Sequence, residues 1–140
     1  MSDAVDLRKR ANRFASLATE SFEFARTFAS LFEKTRMPEV EIEDAEAHRF
    51  DQLRKRAIEA LEDTYGPASQ RCSDMAKNFP VLNACAATGT RNVVRSTIPD
   101  ALQKRGADLQ RYADKLEDAA VDLEHTVDPS GPVGFGAPPP

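Results

Sequence analysis

The side chains best suited to hold a metal or to attack a substrate are His48, His125, Cys72 and Cys85, the only histidines and cysteines present. Asp44 precedes His48 by four residues and Asp122 precedes His125 by three, spacings that place a carboxylate and an imidazole on one helical face, where they could share a cation. A carboxylate-bridged two-metal bundle asks for more, namely inward glutamates from two helices and a Glu-x-x-His from each of two others. Here the acids fall on the polar faces, so the metal, cofactor-binding and catalytic sets are assigned no residues. Cys72 and Cys85 lack C-x-x-C spacing and fit no zinc pattern. Across Pro80 they could meet in a disulfide, or remain two buried thiols. No glycine-rich phosphate loop, nucleophile elbow or dinucleotide fingerprint occurs. The expectation is a protein that is not an enzyme, with no small-molecule substrate evident.

The elements that must position these residues are helices. From Thr97 to Val127, leucines stand seven apart at Leu102, Leu109, Leu116 and Leu123, and the alternate heptad positions hold Gly106, Ala113, Ala120 and Val127. A large residue at each d position beside a small one at a describes a coiled-coil-like packing seam that lets another helix backbone approach closely. Thr97, Pro99 and Asp100 mark its start as a capping box with proline in the first turn.

A first helix is expected from Ser2, its cap, to about residue 34. Ala4, Ala11, Ala18, Ala25 and Phe32 form one heptad row, and Leu7, Phe14, Ser21 and Phe28 the next. Leu17, Phe24 and Leu31 on one flank and Ala15, Phe22 and Ala29 on the other extend the apolar arc to about 200°, about twice the stripe of a helix packed on one side. Either this helix lies between two others of its own chain, or Leu17, Phe24 and Leu31 form an interface for a partner; the second reading makes these three the candidate interface residues.

Met37-Pro38 ends the pattern. A second helix is expected over about 40–65, acidic at its start (Glu39, Glu41, Glu43, Asp44, Glu46), with Ala47, Phe50, Leu53, Ala57, Ala60 and Leu61 inward and Gly66-Pro67 as cap and stop. Residues 67–88 read as a short helical pair around Pro80, with Ala68, Cys72, Met75, Ala76 and Phe79 facing in and Gly89 closing the second member. Thr90–Arg95 reads equally as a loop or an extended piece. The segment 128–140, with five Pro and three Gly, is expected to be a disordered tail, in which Phe135 is the one possible docking residue.

Length supports a single helical-bundle domain over 1–127. The fold class expected is all-α, an elongated bundle of three long helices (about 4–34, 40–65 and 97–127) with a short helical pair. No apolar run is long enough to span a membrane and the start lacks a secretory signal, which favours a cytoplasmic or intracellular setting. The formal net charge of −4 argues against a dedicated nucleic-acid binder. The two ends nevertheless differ in sign: Arg8, Lys9, Arg10 and Arg13 enrich the first, and Asp114, Glu117, Asp118, Asp122 and Glu124 the last. Such ends could steer antiparallel association.

The function expected is that of a helical assembly, adaptor or structural subunit, self-associating as a homo-oligomer or joining a protein partner. One alternative is nucleic-acid association through Arg8, Lys9, Arg10 and Arg13 with Arg91 and Arg95 on phosphates. A second is a secreted helical hairpin or a helical-bundle metal carrier or enzyme. The segment Ala101–Asp128 resembles the Ala-rich hairpins of small type VII secretion substrates, but with no Trp in the chain their W-x-G turn is absent, and the chain is not assigned to that family.

Overall fold

A computed structural model describes residues 3–85 and 90–127, the side chains of 83–85, 90, 91, 126 and 127 excepted. The described chain runs α1 (Asp3–Glu33), β1 (Glu39–Ile42), α2 (Asp44–Tyr65), α3 (Gln70–Asn78), β2 (Asn83–Cys85), β3 (Thr90–Val94) and α4 (Ile98–Val127). The class is all-α. The three short strands form one antiparallel sheet in the order β1-β3-β2.

The 31-residue α1 and the 30-residue α4 form an antiparallel hairpin, each roughly 45 Å long at about 1.5 Å per residue. Their direction is fixed by contacts at successive levels: Arg8 with Glu124, Phe14 with Tyr112, and Ser21 with the Leu102 carbonyl. Every member of the row Ala4, Ala11, Ala18, Ala25 and Phe32 is buried. Facing them, Leu102, Gly106, Leu109, Ala113, Leu116 and Ala120 are buried and Leu123 is half-buried.

The other side of α1 receives α2. Phe50 is fully buried and meets Phe24, Phe28 and Phe79, with ring centroids 5.7, 6.1 and 5.9 Å apart. Two of these contacts are edge-on, the arrangement that aromatic quadrupoles favour. α2 ends at Gly66, whose φ of +94° favours glycine, although its ψ of 147° makes it an extended turn rather than the left-handed helical cap expected there.

Three expectations need correction. The acidic stretch expected to begin a helix at residue 40 is β1: Glu39 and Glu41 point to solvent while Val40 is half-buried and Ile42 buried, the two-residue alternation of a strand. The short helical pair is a single helix. α3 starts at Gln70, after a turn, because the Ser69 hydroxyl accepts the Cys72 amide and caps it there; Cys72, Met75 and Phe79 are buried as expected, but Ala68 and Ala76 are exposed. Beyond Pro80, Asn83–Cys85 is β2, because β3 offers it a ladder: Asn83 pairs with Asn92 and Cys85 with Thr90. On its other edge β3 pairs with β1, from Glu39 opposite Val94 to Ile42 opposite Arg91. Ser2, Gly89 and the segment 128–140 with Phe135 lie outside the described residues.

Candidate functional site

The seam is the clearest assembled feature. Small residues let the α1 and α4 backbones approach, and the approach is close enough that a Cβ on Gly106 would sit 2.7 Å from Cε1 of Phe22. Ser21, the one polar residue of the α1 heptad rows, is fully buried and donates its hydroxyl to the Leu102 carbonyl at 2.7 Å. That bond removes the cost of burying the hydroxyl and locks the register of the two helices.

The candidate interface residues do not form a bare flank. Leu17 and Phe24 are 3% and 7% exposed, and Leu31 is half-buried against the same core. The first of the two alternatives holds for this flank: α2 covers it, the Phe50 ring reaching Phe24 with centroids 5.7 Å apart. Around the covered ring the rim is charged: Glu20, Glu23, Arg26, Glu46 and Arg49 line a groove over Phe24, with the Arg49 guanidinium 5.9 Å from the ring centroid. Arg56 clasps Glu20 with two hydrogen bonds of 2.7 Å, tying α2 to α1 at its centre.

The basic residues proposed for phosphate contact are largely occupied within the chain. Arg8 pairs with Glu117 and Glu124 on α4, so the oppositely charged ends of the sequence meet inside the hairpin. Its hydrogen bond to Glu124 holds that carboxyl below the usual carboxylate range. Arg10 bonds Asp6, the Asp63 carbonyl and the Thr64 hydroxyl, and Arg13 bonds Asp63. Both therefore bring positive charge to the C-terminal turn of α2, where the helix dipole favours it. Lys9 is exposed. Arg95 stacks on Phe32 at 4.9 Å and donates to the carbonyls of Phe32, Thr35 and Met37, closing the end of α1. The Arg91 side chain lies outside the described set.

His48 and His125 are exposed on α2 and α4. No group of three or more His, Cys, Asp or Glu among the described residues could hold a metal ion. Cys72 is a buried free thiol, its Sγ 3.4 Å from the Gly66 carbonyl, and the Cys85 side chain expected as its possible partner lies outside the described set. No described helix is long and apolar enough to cross a membrane.

A different feature appears at the open end of the hairpin. The last turn of α2 reaches only as far as Arg10 and Arg13, so the start of α1 and the end of α4 project past it as a two-helix prong. Val5 and Val121 on this prong are 44% and 37% exposed. Each directly follows a buried seam alanine, Ala4 or Ala120. One residue turns a side chain by about 100°, and because the helices run in opposite directions both turns lead to the same side of the prong. The sequence signal for this pair is the position of each valine next to its alanine row. Comparison with protein-family models, with curated proteins and with solved structures gives no match, so the chemistry and geometry of these residues are what a functional reading rests on.

Proposed function

We propose that the protein is a non-catalytic structural or adaptor subunit that associates through helix–helix contact, and that its partner is a second copy of itself docked on the prong. The observation carrying this reading is the exposed pair Val5 and Val121 on one side of a two-helix segment that has lost its third helix. A two-fold axis parallel to the helices sets α1 of one copy on α4 of the other and completes a four-helix arrangement. Charge supports that operator. Arg8 is taken by Glu117 and Glu124 within its own copy, but the exposed Lys9, four residues after Val5, comes to the level of the exposed Asp118, three residues before Val121, on α4 of the other copy.

Val5→Asp with Val121→Asp tests the reading by sedimentation. The wild type should sediment heavier than 15.4 kDa, and the double variant at the monomer mass with unchanged helical circular dichroism. A monomeric wild type, or a double variant that associates as well as the wild type, overturns it.

A further inference from the structure

Away from the prong, α3 and α4 border a half-open pocket of about 230 Å³ lined by Arg71, Asp74 and Asn78 from one helix and Arg105, Asp108, Arg111 and Tyr112 from the other. At about 30 Å³ per water this is room for several water molecules or one small polar group. Three guanidiniums converge here in a chain of net charge −4. Their carboxylate partners are few. Asp108 alone receives two of them, Arg105 at 3.0 Å and Arg111 beside it, while Asp74 is engaged by the Gln70 amide at 2.7 Å.

Arg71 makes no ion pair among the described residues. Its guanidinium lies 4.4 Å from the centre of the Tyr65 ring, and Tyr65 in turn packs on Tyr112 at 5.8 Å, so the cation is held in place by an aromatic support and leaves its donors free. Arg105 is 12% exposed, and its buried Nε finds no acceptor among the described residues. A buried donor without an acceptor costs stability unless something occupies the site. Burial raises the pKa of the half-buried Tyr112 hydroxyl above its usual value, Asp108 adding to the effect and Arg71 and Arg111 opposing it.

We infer that this cavity binds the phosphate group of a small phosphorylated molecule. A phosphate dianion offers three acceptor oxygens at tetrahedral angles, which suits guanidiniums arriving from two separate helices better than a planar carboxylate does. Arg71 and the orphaned edge of Arg105 supply the donors, and Asp108 orients Arg105 and Arg111 while leaving the three-arginine set in excess. Asn78 and Tyr112, which also line the pocket, are polar groups able to take a hydroxyl of the ligand.

Titration of the whole chain with inorganic phosphate, followed by amide and tyrosine NMR resonances at constant ionic strength, tests the site. Phosphate should shift resonances of residues 65–78 and 105–112 saturably, with acetate at least about tenfold weaker. Arg71→Ser removes one charge-assisted donor, worth about tenfold or more in affinity, and, since Arg71 is exposed, it should leave the spectrum of the free protein otherwise intact. Arg26→Ser, on the distant groove over Phe24, should change nothing. Shifts spread evenly over the basic surface, acetate binding as tight as phosphate, or an Arg71→Ser variant with unchanged affinity would each overturn the assignment.

Discussion

α1 meets its two neighbours by opposite means. Toward α4 it presents Ala4, Ala11, Ala18 and Ala25 and relies on close backbone approach; toward α2 it presents Leu17, Phe24 and Phe28 and relies on the bulk of Phe50 to span the gap. At Gly106 the first contact leaves no room for a methyl group, and the second is made by rings. Enlargement should therefore hurt the α4 side, and truncation the α2 side.

The largest effect is expected on the aromatic side. Phe50 is fully buried and touches three other rings, so Phe50→Ala should cost about 3–5 kcal/mol, the range for emptying a ring-sized volume in a core. Urea unfolding gives the value. A loss under 1 kcal/mol would mean that Phe24, Phe28 and Phe79 close over the space, and that α2 is held on mainly by surface pairs such as Arg56–Glu20. Those pairs are exposed enough to contribute little alone.

On the small-residue side, Ala113 is 4% exposed. Ala113→Leu should overpack the seam and cost about 1–3 kcal/mol, measured in the same urea series. A neutral result would place Ala113 at a yielding point and weaken the contrast between the two faces of α1.

That contrast also explains what was legible beforehand. The seam could be read because leucines with Gly and Ala between them make a long signal repeated over four heptads: Leu102, Gly106, Leu109, Ala113, Leu116 and Ala120 are all buried along α4. The stop at Gly66 was readable for the same local reason. The sheet was not, because its strands are three to five residues long and each is stabilised by partners distant in sequence. Glu39–Ile42 alternates correctly for a strand, yet its acids also suit the first turn of a helix; only pairing with Val94 through Arg91 decides between them. The coverage of Phe24 depended likewise on one residue, Phe50, arriving from another helix. The arginines mark the same limit, since a sequence shows charge but not which partner takes it. Arg8 and Arg95, the phosphate contacts of the nucleic-acid alternative, are committed to Glu117 and Glu124 and to the carbonyls that end α1, whereas Arg71, which carries no sequence signal, stands on Tyr65 without an ion pair among the described residues.

The smallest expected effect sharpens the comparison most, because it isolates a single contact of the seam. Gly106 lies inside α4, where alanine is favoured over glycine by about 1 kcal/mol. The space is contested: an added Cβ would come within 2.7 Å of Phe22 Cε1 and 2.8 Å of Cδ1. Phe22 is half-buried, so its ring can swing outward, giving up part of its own burial rather than forcing the helices apart. Gly106→Ala should then lose about 1 kcal/mol net in the wild-type background, the propensity gain being outweighed by the displaced ring. With Phe22→Ala already in place the obstacle is gone, and the same substitution should gain about 1 kcal/mol. The difference, a coupling of about 2 kcal/mol, falls within the range measured for residues in direct contact. If Gly106→Ala stabilises equally in both backgrounds, Phe22 does not press on this position, and the close approach of α1 and α4 is set by the alanine row alone.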